Sequence, residues 1–335
     1  MKKTLTIIIF LIFQQLPNAA EVNVYSARKE TLIKPLLDQF TRDTGIRVNL
    51  ITGKADIFIK RLEIEGENTP ADILLTIDAA RLVRAKEKGL FQEVISDALN
   101  KVIPNYFRDI DNHWFGLSLR SRVIVFAPDR VNKEELIDYL DLANSKWKGR
   151  ICVRSSSNIY NQSLVASLIA HHGINKIEIW ASRLVENFAR PSKGGDRDQI
   201  KAVAIGVCDI ALVNNYYLAG MLESSQEYET YAAKKVKLFW PDQNGHGAHV
   251  NISGAGVTKY AKNKEEAIQL LEYLVTDKAQ QWYSDINYEY AVNPEIKNTA
   301  ILGIWGVFKS DDLNLSLLGR YNRDAVLLMD RVGWK

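Results

Sequence analysis

The 335-residue sequence is poor in cysteine and has no surplus of charge of either sign. It contains 2 cysteines, and its 43 basic residues against 40 acidic ones give a formal net charge of +3. Two cysteines are too few for a disulfide-dense scaffold or a four-cysteine zinc site. Nucleic-acid binding requires a basic excess that this sequence lacks, so we expect no nucleic-acid partner.

The sequence also lacks a hydrophobic run of the roughly 20 residues needed to cross a bilayer. Its longest apolar stretch, Leu5–Phe13, follows two lysines and precedes the small residues Ala19 and Ala20. This order of basic, apolar and small residues is typical of a secretory signal peptide. We predict that residues 1–20 form a cleavable signal peptide and that the mature protein is exported. An uncleaved membrane anchor is the alternative.

Motifs of common enzymes are missing, since the sequence contains no GxSxG, P-loop, HExxH or CxxC pattern. Two histidine motifs remain as weak candidates for metal ligands: His171-His172, and HGAH at 246–249. Adjacent histidines point apart on a helix, and the second motif has only Asp242 as a close carboxylate. We interpret the two motifs as a helix end and a polar hinge loop. The sequence therefore does not indicate an enzyme.

Strand-like and helix-like segments alternate along most of the chain, which indicates an α/β fold with a parallel sheet covered by helices on both faces. The pattern starts at 21–26 and starts again near Arg150. Long candidate strands at 114–128 and 249–261 could cross between two lobes. We predict a two-lobed periplasmic solute-binding fold, type II-like, with a hinge and an interlobe cleft. The expected N-terminal lobe is 21–120 plus about 245–295, and the expected C-terminal lobe is 121–244 plus about 296–335.

The two cysteines, Cys152 and Cys208, both lie in candidate strands of the second half of the chain. Pairing is the default in an oxidising compartment, so export favours one disulfide between neighbouring strands or loops of one lobe. Two buried free thiols are the alternative.

Three tyrosines are the most informative polar residues. Tyr160 lies in a Ser/Asn-rich turn before a predicted helix, and the adjacent Tyr216 and Tyr217 follow a later strand. The carboxyl ends of strands line the ligand crevice of open parallel sheets, so all three phenols could face one cleft. Phenolate is an anionic oxygen ligand, which suits Fe(III) better than zinc or copper. Neighbouring side chains diverge on a strand or a helix, so we expect the backbone to bend between Tyr216 and Tyr217.

At this point the sequence resembles the periplasmic ferric-iron-binding proteins of bacterial ABC transporters. The resemblance covers nearly the whole mature chain and rests on the order and spacing of six segments: VYSARKE (24–30), TPADILLTID (69–78), FGLSLRSRV (115–123), SSSNIYNQSL (155–164), VNNYYLAG (213–220) and HVNISGAGV (249–257). It implies that Tyr160, Tyr216 and Tyr217 bind Fe(III). It also implies a periplasmic monomer that delivers iron to an inner-membrane ABC permease.

One branch of this family carries a His-Tyr pair where this sequence has Lys29 and Glu30. Glu30 could coordinate the metal, or it could simply begin a helix, where a carboxylate is favourable. The sequence is more similar to the branch with three tyrosines and a synergistic anion such as carbonate. The residues that match the anion-binding arginines are Arg28 and Arg120, since arginine binds planar anions through its bidentate fork. A salt bridge is the alternative role for each.

Two other functions stay open on the sequence alone. A receptor of the same fold could bind another solute, such as an oxyanion, a polyamine or thiamine, although an oxyanion receptor would not need three phenols. An exported enzyme could have its catalytic residues scattered through the sequence.

Overall fold

The computed structural model of the protein describes residues 20–297 and 300–335. The predicted signal peptide lies outside the described residues, except for Ala20. Within the described residues, no helix has both the length and the apolar character needed to span a bilayer.

The strands are defined here by their bounds: β1 (Glu21–Ser26), β2 (Arg47–Thr52), β3 (Ile73–Ile77), β4 (Phe115–Phe126), β5 (Ile151–Cys152), β6 (Ile210–Asn214), β7 (Lys237–Phe239), β8 (Val250–Val257) and β9 (Tyr290–Ala291). They follow the spatial order β2-β1-β3-β8-β4-β6-β5, and β7 and β9 also pair with β4.

The α-helices are α1 (Lys34–Thr44), α2 (Ala55–Glu65), α3 (Ala79–Glu87), α4 (Asp97–Val102), α5 (Ile159–His172), α6 (Ile174–Glu186), α7 (Asp196–Ala204), α8 (Asn215–Leu222), α9 (Glu227–Lys234), α10 (Lys264–Tyr273), α11 (Asp277–Asn287), α12 (Ala300–Gly303), α13 (Ser316–Arg320) and α14 (Asn322–Arg331). Short 3₁₀ turns occupy Glu30–Leu32, Gly66–Asn68, Asn105–Phe107, Lys133–Glu135, Leu140–Ala143 and Ser145–Trp147.

The sheet is mixed, so the expectation of a parallel sheet is only partly right. Strand β1 runs parallel to β2 and β3, and β5 runs parallel to β6. Strand β8, however, is antiparallel to both β3 and β4, and β4 is antiparallel to β6. The physical reason is that β4 and β8 are long strands that pair side by side in opposite directions, which joins the two parallel groups.

Strand β4 connects the two halves of the sheet. It is buried along all 12 residues. Its first part, up to Ser121, pairs with β8, and from Arg122 onwards it pairs with β6. One continuous strand therefore carries adjacent residues into both halves. The lobe boundaries given above stay a prediction.

The first helix shows how local sequence sets an element boundary. Pro35 lies in the first turn of α1, where its missing N–H requires no partner, and the helix begins at Lys34. Gly45 ends the helix with a φ of 78°, a left-handed conformation that glycine adopts without steric cost. Between these ends, Leu36, Leu37 and Phe40 are buried against the sheet.

Cys152 and Cys208 form a disulfide with a Cα–Cα distance of 5.8 Å. Cys152 ends β5, and Cys208 lies two residues before β6, the strand that pairs with β5. The bridge therefore fastens the edge of the half-sheet that carries Tyr216 and Tyr217.

We predict that the disulfide stabilises the fold by about 4 kcal/mol, because it closes a long loop and restricts the unfolded chain. The cysteines are 56 residues apart in sequence. Urea denaturation with and without reductant measures the effect, and the double variant Cys152→Ser/Cys208→Ser should be insensitive to reductant. Two reactive thiols in unfolded, unreduced protein would show that the bridge is not formed.

Candidate metal centre

The three predicted tyrosines lie in the first turns of two helices. Tyr160 is the second residue of α5, and the side chain of Asn158 caps this helix by accepting the N–H of Tyr160 at 3.1 Å. Tyr216 and Tyr217 are the second and third residues of α8, which begins directly after β6. The positive ends of two helix dipoles therefore lie beside the phenols, where they stabilise negative charge.

The bend that brings the two neighbouring tyrosines together lies earlier than expected. Strand β6 ends at Asn214 and α8 begins at Asn215, so both tyrosines are helical and no bend separates them. Asn215 fixes this junction, because its side chain accepts the N–H of Ser121 at 2.9 Å and donates to the carbonyl of Tyr288 at 3.2 Å. The expectation of a bend between the tyrosines was wrong, since long phenol side chains from one helical turn can lie side by side. Their ring centroids are 4.4 Å apart.

The phenols form one cluster. The hydroxyl of Tyr216 donates to the hydroxyl of Tyr160 over 3.2 Å. Burial, followed by the neighbouring Tyr160 and Tyr217, raises the pKa of Tyr216 well above its ordinary value of 10.0. Burial, followed by Tyr160 and Asp196, raises the pKa of Tyr217 to about 12. Tyr216 and Tyr217 therefore keep their protons at neutral pH unless a cation replaces them.

The cluster faces a cleft of about 540 Å³. Residues from the segment after β1, from β3, β4, α5, α7 and α8, and from the end of α11 with the segment after it surround the cleft, so chain segments far apart in sequence meet there. The lining residues are Ala27, Arg28, Lys29, Leu32, Ile77, Arg120, Tyr160, Arg197, Tyr216, Tyr217, Gly220, Ile286, Asn287, Tyr288 and Glu289.

Arg120 is a buried cation beside the phenols with spare hydrogen-bonding capacity. Its guanidinium carbon lies 5.4 Å from the ring centroid of Tyr160. It donates to the hydroxyl of Ser253 at 3.4 Å and forms a buried salt bridge of 3.8 Å with Asp78, the kind of contact that was its alternative role. Within the described residues, its Nε and Nη2 atoms have no hydrogen-bond partner. Buried donors of this kind fit an anion, because an unpaired buried N–H is costly.

Arg28 is paired with the carboxylate of Glu289. Its Nη1 and Nη2 atoms donate to the two carboxylate oxygens of Glu289 at 2.9 and 3.2 Å, and Nη1 also donates to Ser253 at 2.6 Å. Glu289 in turn accepts a short hydrogen bond from Ser118. The structure thus shows the salt bridge that was the alternative role for Arg28. An anion would have to compete with Glu289 for this fork.

A buried ion pair connects the elements that carry the three tyrosines. Arg122 is paired with Asp196 in a fully buried ion pair, and its Nη2 donates to Asn161, the residue after Tyr160, at 2.7 Å. Asp196 also accepts the backbone N–H of Asn214 at 3.1 Å. Arg122 therefore links the start of α5 to the end of β6, just before Tyr216.

Sequence reasoning missed several residues of this region. Arg122 had a signal, since it lies two residues after Arg120 in a predicted strand and so shares its face. Tyr288 and Glu289 line the cleft but had no local signal, because the fold brings them in from the end of α11. Glu30, the possible extra ligand, is exposed at the start of a 3₁₀ turn and is not among the residues lining the cleft. Its ligation stays a prediction without geometric support.

The arrangement suits a highly charged cation with oxygen ligands. The three phenols can provide anionic oxygen ligands for the cation. The two helix N-termini and the buried guanidinium can bind an accompanying anion.

Comparisons with known proteins agree with this geometry. The sequence profile of a family described as bacterial extracellular solute-binding protein matches residues 68–303. A Synechocystis protein named iron uptake protein A1 is 46% identical over 315 residues, which cover 94% of this chain and 88% of that protein.

Two solved structures are similarly close. The Trichodesmium protein IdiA (FutA), in complex with iron and citrate ligands, matches with a TM-score of 0.92 and 51% identity over 94% of this chain and 100% of the other. Apo FutA2 from Synechocystis matches with a TM-score of 0.90 and 43% identity over 95% of this chain and 100% of the other. These similarities confirm the predicted two-lobed α/β fold and the resemblance based on the sequence segments.

We predict that Arg122→Met destabilises the fold by about 3–5 kcal/mol, because it leaves the Asp196 carboxylate buried with half of its compensation removed. Urea denaturation measures the loss. The control is Arg331→Met, which removes an exposed ion pair with Glu178 and should change stability little. Equal stability of the two variants would contradict the role given to Arg122.

Proposed function

The chain belongs to the family of bacterial extracellular solute-binding proteins, and from this premise we propose that it is a periplasmic receptor for Fe(III). The single observation that supports this proposal is the cluster of Tyr160, Tyr216 and Tyr217 at two helix N-termini facing one cleft. Residues 1–20 serve as the signal peptide in this proposal.

Charge balance explains why three phenols suit this cargo. Fe(III) carries three positive charges, and three phenolates neutralise them. The pKa of Tyr217, raised to about 12, and the raised pKa of Tyr216 mean that neither forms a phenolate alone at neutral pH. The metal must displace both protons, which a trivalent cation does better than a divalent one. The same requirement disfavours a neutral organic solute, which would leave the phenols protonated.

Arg120 is the residue we assign to a synergistic anion such as carbonate. Its Nε and Nη2 atoms have no hydrogen-bond partner within the described residues, and this together with its position beside Tyr160 supports the role. Arg28 is a weaker candidate because Glu289 already occupies its fork. Citrate is bound with iron in the Trichodesmium relative, so a carboxylate anion is the other chemical class to test.

Delivery completes the proposed function. Two lobes that close around a solute present a changed surface to a membrane partner, which is the standard hinge motion of such receptors. We assign the partner as an inner-membrane ABC permease, and we assign the receptor as a monomer with no catalytic activity. The proposed lobes are 21–120 plus about 245–295, and 121–244 plus about 296–335.

We expect each of Tyr160→Phe, Tyr216→Phe and Tyr217→Phe to weaken Fe(III) binding by more than about 100-fold. Loss of an outer-shell partner alone typically costs a metal site 10–100-fold, and a lost ligand should cost more. The readouts are the visible phenolate-to-iron absorption band and competition with a chelator.

Tyr228→Phe is the matched control, because Tyr228 is 59% exposed and should leave the band unchanged. Wild-type affinity in both Tyr216→Phe and Tyr217→Phe would contradict phenolate ligation, and the lack of any band would favour a receptor for an oxyanion, a polyamine or thiamine.

We also expect bicarbonate to increase the affinity for Fe(III), and Arg120→Gln to remove most of that increase. Spectra and metal analysis of protein prepared with and without bicarbonate measure the effect, and citrate replaces bicarbonate in a parallel series. Arg331→Gln is the surface control. An identical response to anions in Arg120→Gln and the unaltered protein would refute the anion site.

A further inference from the structure

The two histidine motifs that sequence analysis set aside meet at one surface. The ring centroids of His171 and His246 are 3.8 Å apart, those of His172 and His246 are 5.6 Å apart, and those of His171 and His172 are 6.1 Å apart. Three of the 5 histidines in the sequence therefore form one group, which we call the histidine cluster.

The cluster is remote from the tyrosines. His171 and His172 end α5, and Tyr160 lies in its first turn. At a rise of about 1.5 Å per residue, the separation along the helix is about 16 Å. A ligand at the cluster would not share any residue with the cleft.

One histidine is already oriented by a carboxylate. The Nε2 atom of His171 lies 2.9 Å from an oxygen of Asp311, a buried residue. Histidine ligands of metals typically use one nitrogen for the metal and the other for a carboxylate or carbonyl, which fixes the ring. This contact leaves the Nδ1 atom of His171 for a metal. Within the described residues, no hydrogen bond to the ring nitrogens of His172 or His246 is found.

Charged groups of both signs lie near the cluster. Asp242 interacts electrostatically with His246 and with Asp311. Asp138 interacts electrostatically with both Asp242 and His172. The nearby positive charges are Lys176, and Lys309 through its contact with the loop. Of these described residues, three are carboxylates and two are ammonium groups.

We propose that His171, His172 and His246 form a second metal site, for a divalent transition cation of the zinc class. Nitrogen ligands at about 2.0–2.1 Å in a tetrahedral arrangement place imidazole centroids about 5 Å apart, close to two of the three separations. The third pair is stacked and must open by about 1–2 Å to reach that spacing.

The loop that carries His246 allows this adjustment. His246 is exposed and lies between Gly245 and Gly247, and Gly247 has a φ of 102° that favours glycine. Asp242 fixes the start of the loop, since its carboxylate accepts the N–H of His246 at 3.2 Å. The ring can therefore turn out of the stack while its backbone stays in place.

A different acidic group is less suitable. Asp109, Asp111 and His113 already lie within metal-binding reach of one another, whereas the histidine cluster must first open its stacked pair. The ammonium of Lys86, however, donates to Asp109 at 2.8 Å and to Asp111 at 2.6 Å. A protein cation already fills that position, so His113 serves as the control.

The test uses tag-free, iron-free protein titrated with Co²⁺ and Zn²⁺, followed by the Co²⁺ d–d absorption bands and by calorimetry. We expect one Co²⁺ per chain with tetrahedral bands, displaced by Zn²⁺. His172→Ala and His246→Ala should weaken binding at least 10-fold, whereas His113→Ala should not. Tyr217→Phe should also leave Co²⁺ binding unchanged, because the cleft is a separate site.

Two results would overturn the proposal. One is equal Co²⁺ affinity in His246→Ala, His172→Ala and His113→Ala. The other is loss of binding in Tyr217→Phe alone, which would place the divalent ion in the cleft. Fe(III) binding by His246→Ala, followed by its visible band, checks that the variant is folded. Because the two titrations report different residues, failure here would not affect the iron proposal.

Discussion

The buried carboxylate of Asp196 is the point on which the rest of the site depends. It pairs with Arg122, accepts a hydrogen bond from Arg154 at 2.6 Å, and accepts the backbone N–H of Asn214. A buried charge is tolerated only when it is fully compensated. Moving any of these partners away would leave the Asp196 carboxylate uncompensated in a low-dielectric environment, so each partner is held in place. In this way one carboxylate at the start of α7 fixes the end of β6, and with it the first turn of α8.

The same electrostatics explain why the phenols form a cluster without a permanent charge. Burial raises the pKa of Tyr216 and of Tyr217, so the chain holds these two hydroxyls together as neutral, hydrogen-bonding groups. Two helix N-termini and Arg120 favour the anionic forms, but they do not overcome burial by themselves. A cation has to supply the remaining stabilisation, and in the proposed receptor that cation is the cargo.

Particular elements show how far sequence patterns reach. The strand at 21–26 and the helix that ends at Gly45 could be predicted from the sequence, because local backbone preferences decide them. Tyr160, Tyr216 and Tyr217 were readable because they stand at predicted strand-to-helix junctions. The pairing of Arg28 with Glu289 could not be predicted from the sequence, since 261 residues separate them. The convergence of His171 and His246 was hidden for the same reason.

The sequence by itself determined the alternation of strands and helices, the targeting pattern and the chemical types available at each junction, because these depend on neighbouring residues. Tertiary structure alone decided how each arginine is paired: both terminal nitrogens of Arg28 bind Glu289, whereas Arg120 lies 3.8 Å from Asp78 and, in the described part of the chain, keeps two donors without hydrogen-bond partners beside Tyr160. It also decided that the sheet is mixed, with β8 antiparallel to β3 and β4 and with β4 antiparallel to β6. The physical reason is that compensation of buried charge and pairing of strands are settled by contacts through space, which chain order does not specify.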